Sequence, residues 1–381
     1  MLLMAICACT SASAPAPSAQ SVKALPCTRE AAAQADLSAT PTASIALGGN
    51  PFDVAVTADG RWAFASLSSG ALAVLAVNGT ATKLTRKILL PGAPNPTGLA
   101  LTHDGHYLLA ADGAGGAIVV RVDLAISEDV DPVVGHLSGG GDAGAIGVIT
   151  SADDSLAFVS LEARDAIAVF DLRSALASGF RDPALLGTIP VGAAPVGLAI
   201  SLDGRWLYAT SELASRTASS GTLSVIDVRR AATRPRDAVV TTATAGCSPV
   251  RVAVGDDGVV WVTARGSNAL LGFDAARLVI EPDHAMVANV LVGQAPVGLA
   301  VARGGTRVAV ADSNRFGVLD STSGITLVDA AAALASKPAV LGVIPAGAFP
   351  RGIAFAPDAR TLLVANFDSR ELELVDLTGV P

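Results

Sequence analysis

Aromatic and charged side chains are scarce in this 381-residue sequence, at 4% (10 Phe, 3 Trp, 2 Tyr) and 16% respectively. So few rings leave little from which to build a platform for stacking bases or sugars. Among the charges, 26 are basic and 34 acidic, for a net charge of −8. No nucleic-acid partner is expected, because such binding needs a basic stripe that displaces phosphate counterions. No apolar run approaches the roughly 20 residues of a membrane-spanning helix. Histidine and cysteine occur four times each, and no His/Cys cluster has the spacing of a zinc site. What the chain does have is 38 Gly and 21 Pro, spread evenly, on a background that is 51% hydrophobic. That composition describes a large, turn-rich core.

The first 25 residues read as an export signal and tether. MLLMAICA is apolar, Cys9 follows, and residues 10–21 are a Ser/Ala/Pro tract. The arrangement resembles a bacterial lipoprotein signal, in which Cys9 would carry the lipid, although no basic residue precedes the apolar stretch. Export to the periplasm, to a membrane through that lipid, or out of the cell is expected. Any membrane contact would run through the lipid alone. Residues 26–41 form an N-terminal extension. The body then keeps only Cys27 and Cys247, which are either a disulfide pair or two separate thiols.

A repeat search is decisive for fold. Taking one proline per copy as anchor gives Pro51, Pro96, Pro195, Pro249, Pro296 and Pro350, with Ala145 standing in the third copy, at spacings of 45 to 54 residues. Eight residues after each anchor come Asp59, Asp104, Asp153, Asp203, Asp257, Gly304 and Asp358, mostly followed by Gly. Asp-Gly between apolar segments signals a hairpin. A strand lies on each side of it. A third strand ends at Asn78, Asp123, Asp171, Asp227, Asp274, Asp329 and Asp376, and a fourth leads into the next anchor. Each copy is thus a four-stranded antiparallel meander. Two and four residues past the anchor the side chains are small (Gly197/Ala199, Gly298/Ala300), with bulky ones between them, so this first strand is covered on both faces.

The seventh copy stops one strand short, and residues 43–49 match the fourth-strand pattern. Closing the ring with that N-terminal strand leaves no free edge. The expectation is all-β: a single seven-bladed β-propeller over 42–381. The repeat resembles the YVTN-repeat β-propeller family, named for its second-strand tetrapeptide. Here that tetrapeptide survives as variants such as Phe64-Ala-Ser-Leu and Leu363-Val-Ala-Asn. The resemblance spans about 42–378 and implies the fold more than an activity, because the superfamily includes binding proteins, lactonases, lyases and scaffolds for redox cofactors.

Ligands of such propellers sit at one mouth of the central channel, where the anchor loops converge. Most anchor residues are bland, among them Ala194, Val196, Ala295 and Val297. The exceptions are Asp53 and Arg251, which replace Gly, with Asn50, Phe52, Asn95, Thr97, Phe349 and Arg351 beside them. Together they could hold a small polar or anionic molecule; the alternative is that Asp53 and Arg251 pair with neighbouring blades. Two insertions, 212–220 and 314–324, lie where partner-specific loops grow.

Propeller lactonases and haem-bearing relatives carry His at the mouth, and no anchor loop here has one. Asp129, Asp131 and Asp142 lack the spacing of a calcium loop. No metal and no cofactor are expected. The reading is a monomeric, non-catalytic binding or scaffold propeller, contacting a small ligand or a protein. A hydrolase, lyase or isomerase acting on a small acid or lactone is the alternative. A periplasmic accessory protein for cofactor delivery or electron transfer is the third.

Overall fold

The computed structural model describes residues 26–27, 30–32, 35–37 and 42–380, apart from 94, 128, 129, 303 and 318–322. The expected signal, tether and lipidated Cys9 lie outside these residues, as does Asp129. Seven four-stranded antiparallel sheets stand in a ring. Blades 1 to 6 take residues 51–89, 99–137, 145–190, 193–244, 249–291 and 296–345, each with its strands in chain order. Blade 7 is built from both ends of the chain. Strands Pro350–Phe355, Thr361–Asn366 and Glu371–Asp376 are completed by Thr42–Ala46, whose Ile45 pairs with Leu372. Leu47, just beyond this closing strand, is fully buried between blades 7 and 1.

The repeated columns have distinct physical jobs. The Asp of each Asp-Gly turn serves as a hydrogen-bond acceptor. Asp59 Oδ1 takes the Thr57 hydroxyl at 2.6 Å and the Arg61 N–H at 3.0 Å, and Asp104 and Asp203 repeat the arrangement. These bonds, the Thr57 hydroxyl first, hold Asp59 down to about 2. The positive φ falls on the next residue, such as Gly60 at 71°. Asp154 breaks the Gly column, adopts φ 53°, and uses its carboxylate to accept the N–H groups of His103 and Asp104 in blade 2. Glycine two residues past the anchor lets adjacent inner strands approach. A Cβ at Gly197 would sit 2.5 Å from the Val250 carbonyl oxygen, and one at Gly352 would sit 2.5 Å from Asp53 Cα.

The meander needs one addition. Where the sequence reading had the third strand lead straight to the fourth, blade 2 inserts the single turn Val122–Ala125, and four further blades insert a short helix: Leu172–Ser178, Val228–Thr233, Ala275–Ile280 and Ala330–Leu334. The strand-ending aspartates Asp171, Asp227, Asp274 and Asp329 are their N-caps, each accepting the N–H three residues on. The first two third strands also stop earlier than Asn78 and Asp123, at Ala76 and Arg121; Val122–Ala125 then turns helical.

The N-terminal extension runs along the ring. Cys27 is bonded to Cys247 with Cα atoms 5.5 Å apart. Glu30 O accepts from Asn268 Nδ2 and the Ala32 N–H donates to Val292 O, both in blade 5. Leu37 and Ala35 then bond Val343 on the outer strand of blade 6. Gly342 is obligatory there, because a Cβ would meet Leu37 Cγ at 2.6 Å.

Candidate functional site

In an antiparallel blade, the anchor loops and the loops between second and third strands share one end, so the described residues of both insertions, 212–220 and 314–317, stand on the channel mouth. The first layer is apolar. Val196, Val250 and Val297, each one residue past its anchor, pack together with Ile146 and Phe349, and these five come from five different blades. Side chains so placed can meet only at the axis, where they floor the mouth. In the same column, blades 1 and 7 carry Phe52 and Arg351. The Arg351 guanidinium lies 3.6 Å from the Phe52 ring centroid, and Phe349 and Phe367 stand at 5.4 and 5.6 Å. Four of the ten phenylalanines therefore gather at this mouth once Phe316 is counted, which lies 5.7 Å from Arg315 and 5.9 Å from Arg265.

Arg251 reaches across from blade 5 until its guanidinium is 5.9 Å from Phe52 of blade 1. Arg251 Nη2 and Arg351 Nε are buried and have no hydrogen-bond partner. A ring face attracts a guanidinium through its quadrupole but accepts no ordinary hydrogen bond. Burial first, then Arg251 and Arg315 nearby, lower Arg351 to about 9. Such a depression corresponds to on the order of 5 kcal/mol against holding the charge, and a bound anion would relieve it.

The acidic groups are mostly engaged. Asp53 Oδ1 accepts the Val54 N–H at 3.0 Å and Oδ2 the Leu99 N–H of blade 2 at 3.1 Å. It thus bridges two blades while supplying countercharge; burial raises its carboxyl above the usual range, and Arg251 pulls the other way. Glu212 pairs with Arg265 at 2.6 Å and Asp165 with Arg216 at 2.6 Å. Glu162 is raised by burial and by Glu212.

The structure thus brings Phe52, Asp53, Arg251, Phe349 and Arg351 into one mouth. The remaining sequence candidates have other duties. Asn50 Nδ2 donates to Phe367 O at 2.8 Å, and Thr97, almost fully buried, donates its hydroxyl to Ala145 O at 2.8 Å. Asn95 lies exposed on the rim of blade 2. Phe367, Arg265 and Glu162 escaped the sequence reading because it weighed only the residues flanking each anchor, whereas these three directly follow their second strands; Arg315, Phe316 and Glu212 fall within the two flagged insertions. None of the four histidines touches these guanidiniums: His103 pairs with Asp154 at the opposite end, His106 with Asp104, and His136 with Asp112. Among the described residues no group of three or more His, Cys, Asp or Glu could hold a metal ion, and no helix is long and apolar enough to cross a membrane.

A β-propeller of seven blades with a basic, phenylalanine-lined mouth is the class these features define. Hydrazine synthase of Kuenenia stuttgartiensis is similar in structure, with TM-score 0.69 and 17% identity over 87% of this chain and 96% of that one. The β-propeller domain of Myceliophteria thermophila Cps50 (Swd1) aligns at TM-score 0.65 and 13% identity, over 86% and 96%. Likeness at such identities shows the fold. No protein-family model and no curated protein sequence matches the chain.

Proposed function

We propose that this is an exported binding propeller of the YVTN-repeat type that holds a small anionic ligand at its channel mouth and performs no catalysis of its own. One observation carries the reading: two guanidiniums, Arg251 and Arg351, keep buried N–H groups without acceptors on a phenylalanine-lined floor. A carboxylate or similar anion supplies those acceptors, and guanidinium forks match its geometry. The mouth also stands out electrostatically, gathering unpaired guanidiniums on a chain of net charge −8. On this reading the two arginines serve recognition and charge neutralisation. A protein offering an acidic side chain would use the same contacts.

Isothermal titration with small carboxylates tests this. Wild-type protein is expected to bind, and Arg351→Met, which keeps an unbranched side chain on Phe52, is expected to lose at least tenfold in affinity, about 1.4 kcal/mol. Equal affinity in Arg351→Met and Arg251→Met would remove the proposal.

A further inference from the structure

The mouth holds more guanidiniums than one anion needs, and they differ in what they are free to do. Arg265 and Arg216 are committed to Glu212 and Asp165. Arg315, on the blade 6 insertion, makes no ion pair among the described residues and no side-chain hydrogen bond, and its guanidinium instead stands 5.6 Å from Phe349. Arg351 stands 5.4 Å from the same ring. Sharing one ring puts the two guanidinium carbons no more than about 11 Å apart. Arg251 and Arg351 share Phe52 in the same way, at 5.9 and 3.6 Å. The arginines on these rings that make no ion pair among the described residues therefore fall into two stations, an inner one of Arg251 and Arg351 at the floor and an outer one of Arg315 at the exposed rim, both beside the Phe349 ring.

We infer that the ligand is a small acid bearing two anionic groups on a short apolar skeleton, one seated on Arg251 and Arg351 and the other on Arg315. This rests on the anion-binding reading above and narrows it to a class. A guanidinium–carboxylate pair already spans about 4 Å from carbon to carbon. With the two guanidiniums at most about 11 Å apart, a diacid of only a few carbons is long enough to reach both. The space between the stations is bordered by a ring face, which favours an apolar spacer over a hydroxylated one. Asp53 lies near the inner station and supplies countercharge to it, but it makes no ion pair with Arg251 or Arg351 among the described residues and turns its two oxygens to the Val54 and Leu99 N–H groups. Arg315 also gives the blade 6 insertion a role: it brings to the mouth a cation that the repeat itself does not supply.

The test compares glutarate with butyrate by calorimetric titration in wild type, Arg315→Gln and Arg351→Gln, with inorganic phosphate as a charge-only probe. Wild type should prefer glutarate over butyrate by at least tenfold. Arg315→Gln should abolish that preference while leaving butyrate affinity within about twofold. Arg351→Gln should weaken both acids. Equal binding of the two acids by wild type, a preference that survives Arg315→Gln, or phosphate binding as tightly as glutarate would overturn the two-station assignment. Loss of the preference with Arg351 still dispensable would instead overturn the inner anion site, so the two failures are distinguishable.

Discussion

Asp312 offers the sharpest test of the packing described above. It ends the second strand of blade 6, is 2% exposed, and accepts the Thr326 hydroxyl on Oδ2 while Oδ1 has no partner. Gly293 lies so near that a Cβ there would meet Asp312 Cγ at 2.5 Å, leaving no room for solvent on that side. Burial pushes the carboxyl up from 3.8 to about 8, opposed only by the bonds from Thr326 and Gly293. A raised carboxyl pKa means that the folded protein keeps a proton which the unfolded chain releases. Its contribution to stability is fully present below pH 3.8 and is lost progressively as pH rises towards 8. Each pH unit in that window costs about 1.4 kcal/mol, hence roughly 4 kcal/mol between pH 5 and pH 8.

Asp312→Asn removes the titration with almost no change of shape, and blade 7 already places Asn366 at the end of its own second strand. The variant should melt near the wild-type temperature at pH 5 and about 6 °C above it at pH 8. That conversion takes a melting entropy on the order of 0.7 kcal/mol per degree for 340 residues. Differential scanning calorimetry at half-unit pH steps measures the gap. Taking the difference between the two proteins cancels the other buried acids, Asp53, Glu162 and Glu373, which slope the same way. Two melting curves running parallel from pH 5 to pH 8 would refute the reasoning.

The remaining expectations concern closure, the extension and the mouth. Deleting residues 42–49 strips the partner from strand Glu371–Asp376 and removes the buried Leu47, so the ring should lose its single unfolding transition, about 10 °C below the intact protein; an unchanged melt would refute closure. Breaking Cys27–Cys247, which links residues 220 apart, should lower the melting temperature by about 3–7 °C, from roughly 2–5 kcal/mol of lost constraint, as read by comparing the oxidised protein with a Cys27→Ser/Cys247→Ser variant. Glu162, raised by burial and by Glu212, sheds its charge before an ordinary glutamate does as pH falls. Sulfate, which keeps its charge, should therefore bind severalfold more tightly at pH 5 than at pH 7, and the gain should shrink in Glu162→Gln; a pH-independent wild type would contradict this.

The ring was legible in the sequence because each blade repeats the same local problem: a turn that needs Asp then Gly, and an inner strand that needs Gly where neighbours touch. The closing strand was legible by subtraction, since blade 7 lacked one. The helices after the third strands were not, although their N-cap aspartates formed a visible column; Asp171 and Asp227 read equally as strand ends because a strand-terminal Asp and an N-cap are the same residue in the same place. The mouth was half legible. Asp53 and Arg251 stand out as departures from a column that is otherwise Gly, and Arg351 as the one charged residue in a column of Phe52, Thr97, Ile146 and three Val. Arg265, Glu162 and Phe367 cannot be found that way, because the position directly after the second strand carries a different residue in most copies, such as Ser68, Asp112 and Ser313, and so offers no consensus from which to depart.

That asymmetry bears on how the fold acquires a site. A seven-fold repeat with Gly past every anchor would bring identical inner strands into contact all round and leave an apolar plug at the axis, as Val196, Val250 and Val297 still do. Function enters where the repeat is broken at adjacent or opposed positions. Phe52 and Asp53 break it in blade 1, Arg351 in the neighbouring blade 7, and Arg251 across the channel in blade 5. Arg351 is then held by ring faces rather than carboxylates, which fixes its position while leaving its hydrogen-bonding capacity unspent. Had Asp53 been free to pair directly with Arg351, the mouth would be a closed ion pair. Asp53 instead gives its oxygens to the Val54 and Leu99 N–H groups and acts on the two guanidiniums as a nearby countercharge.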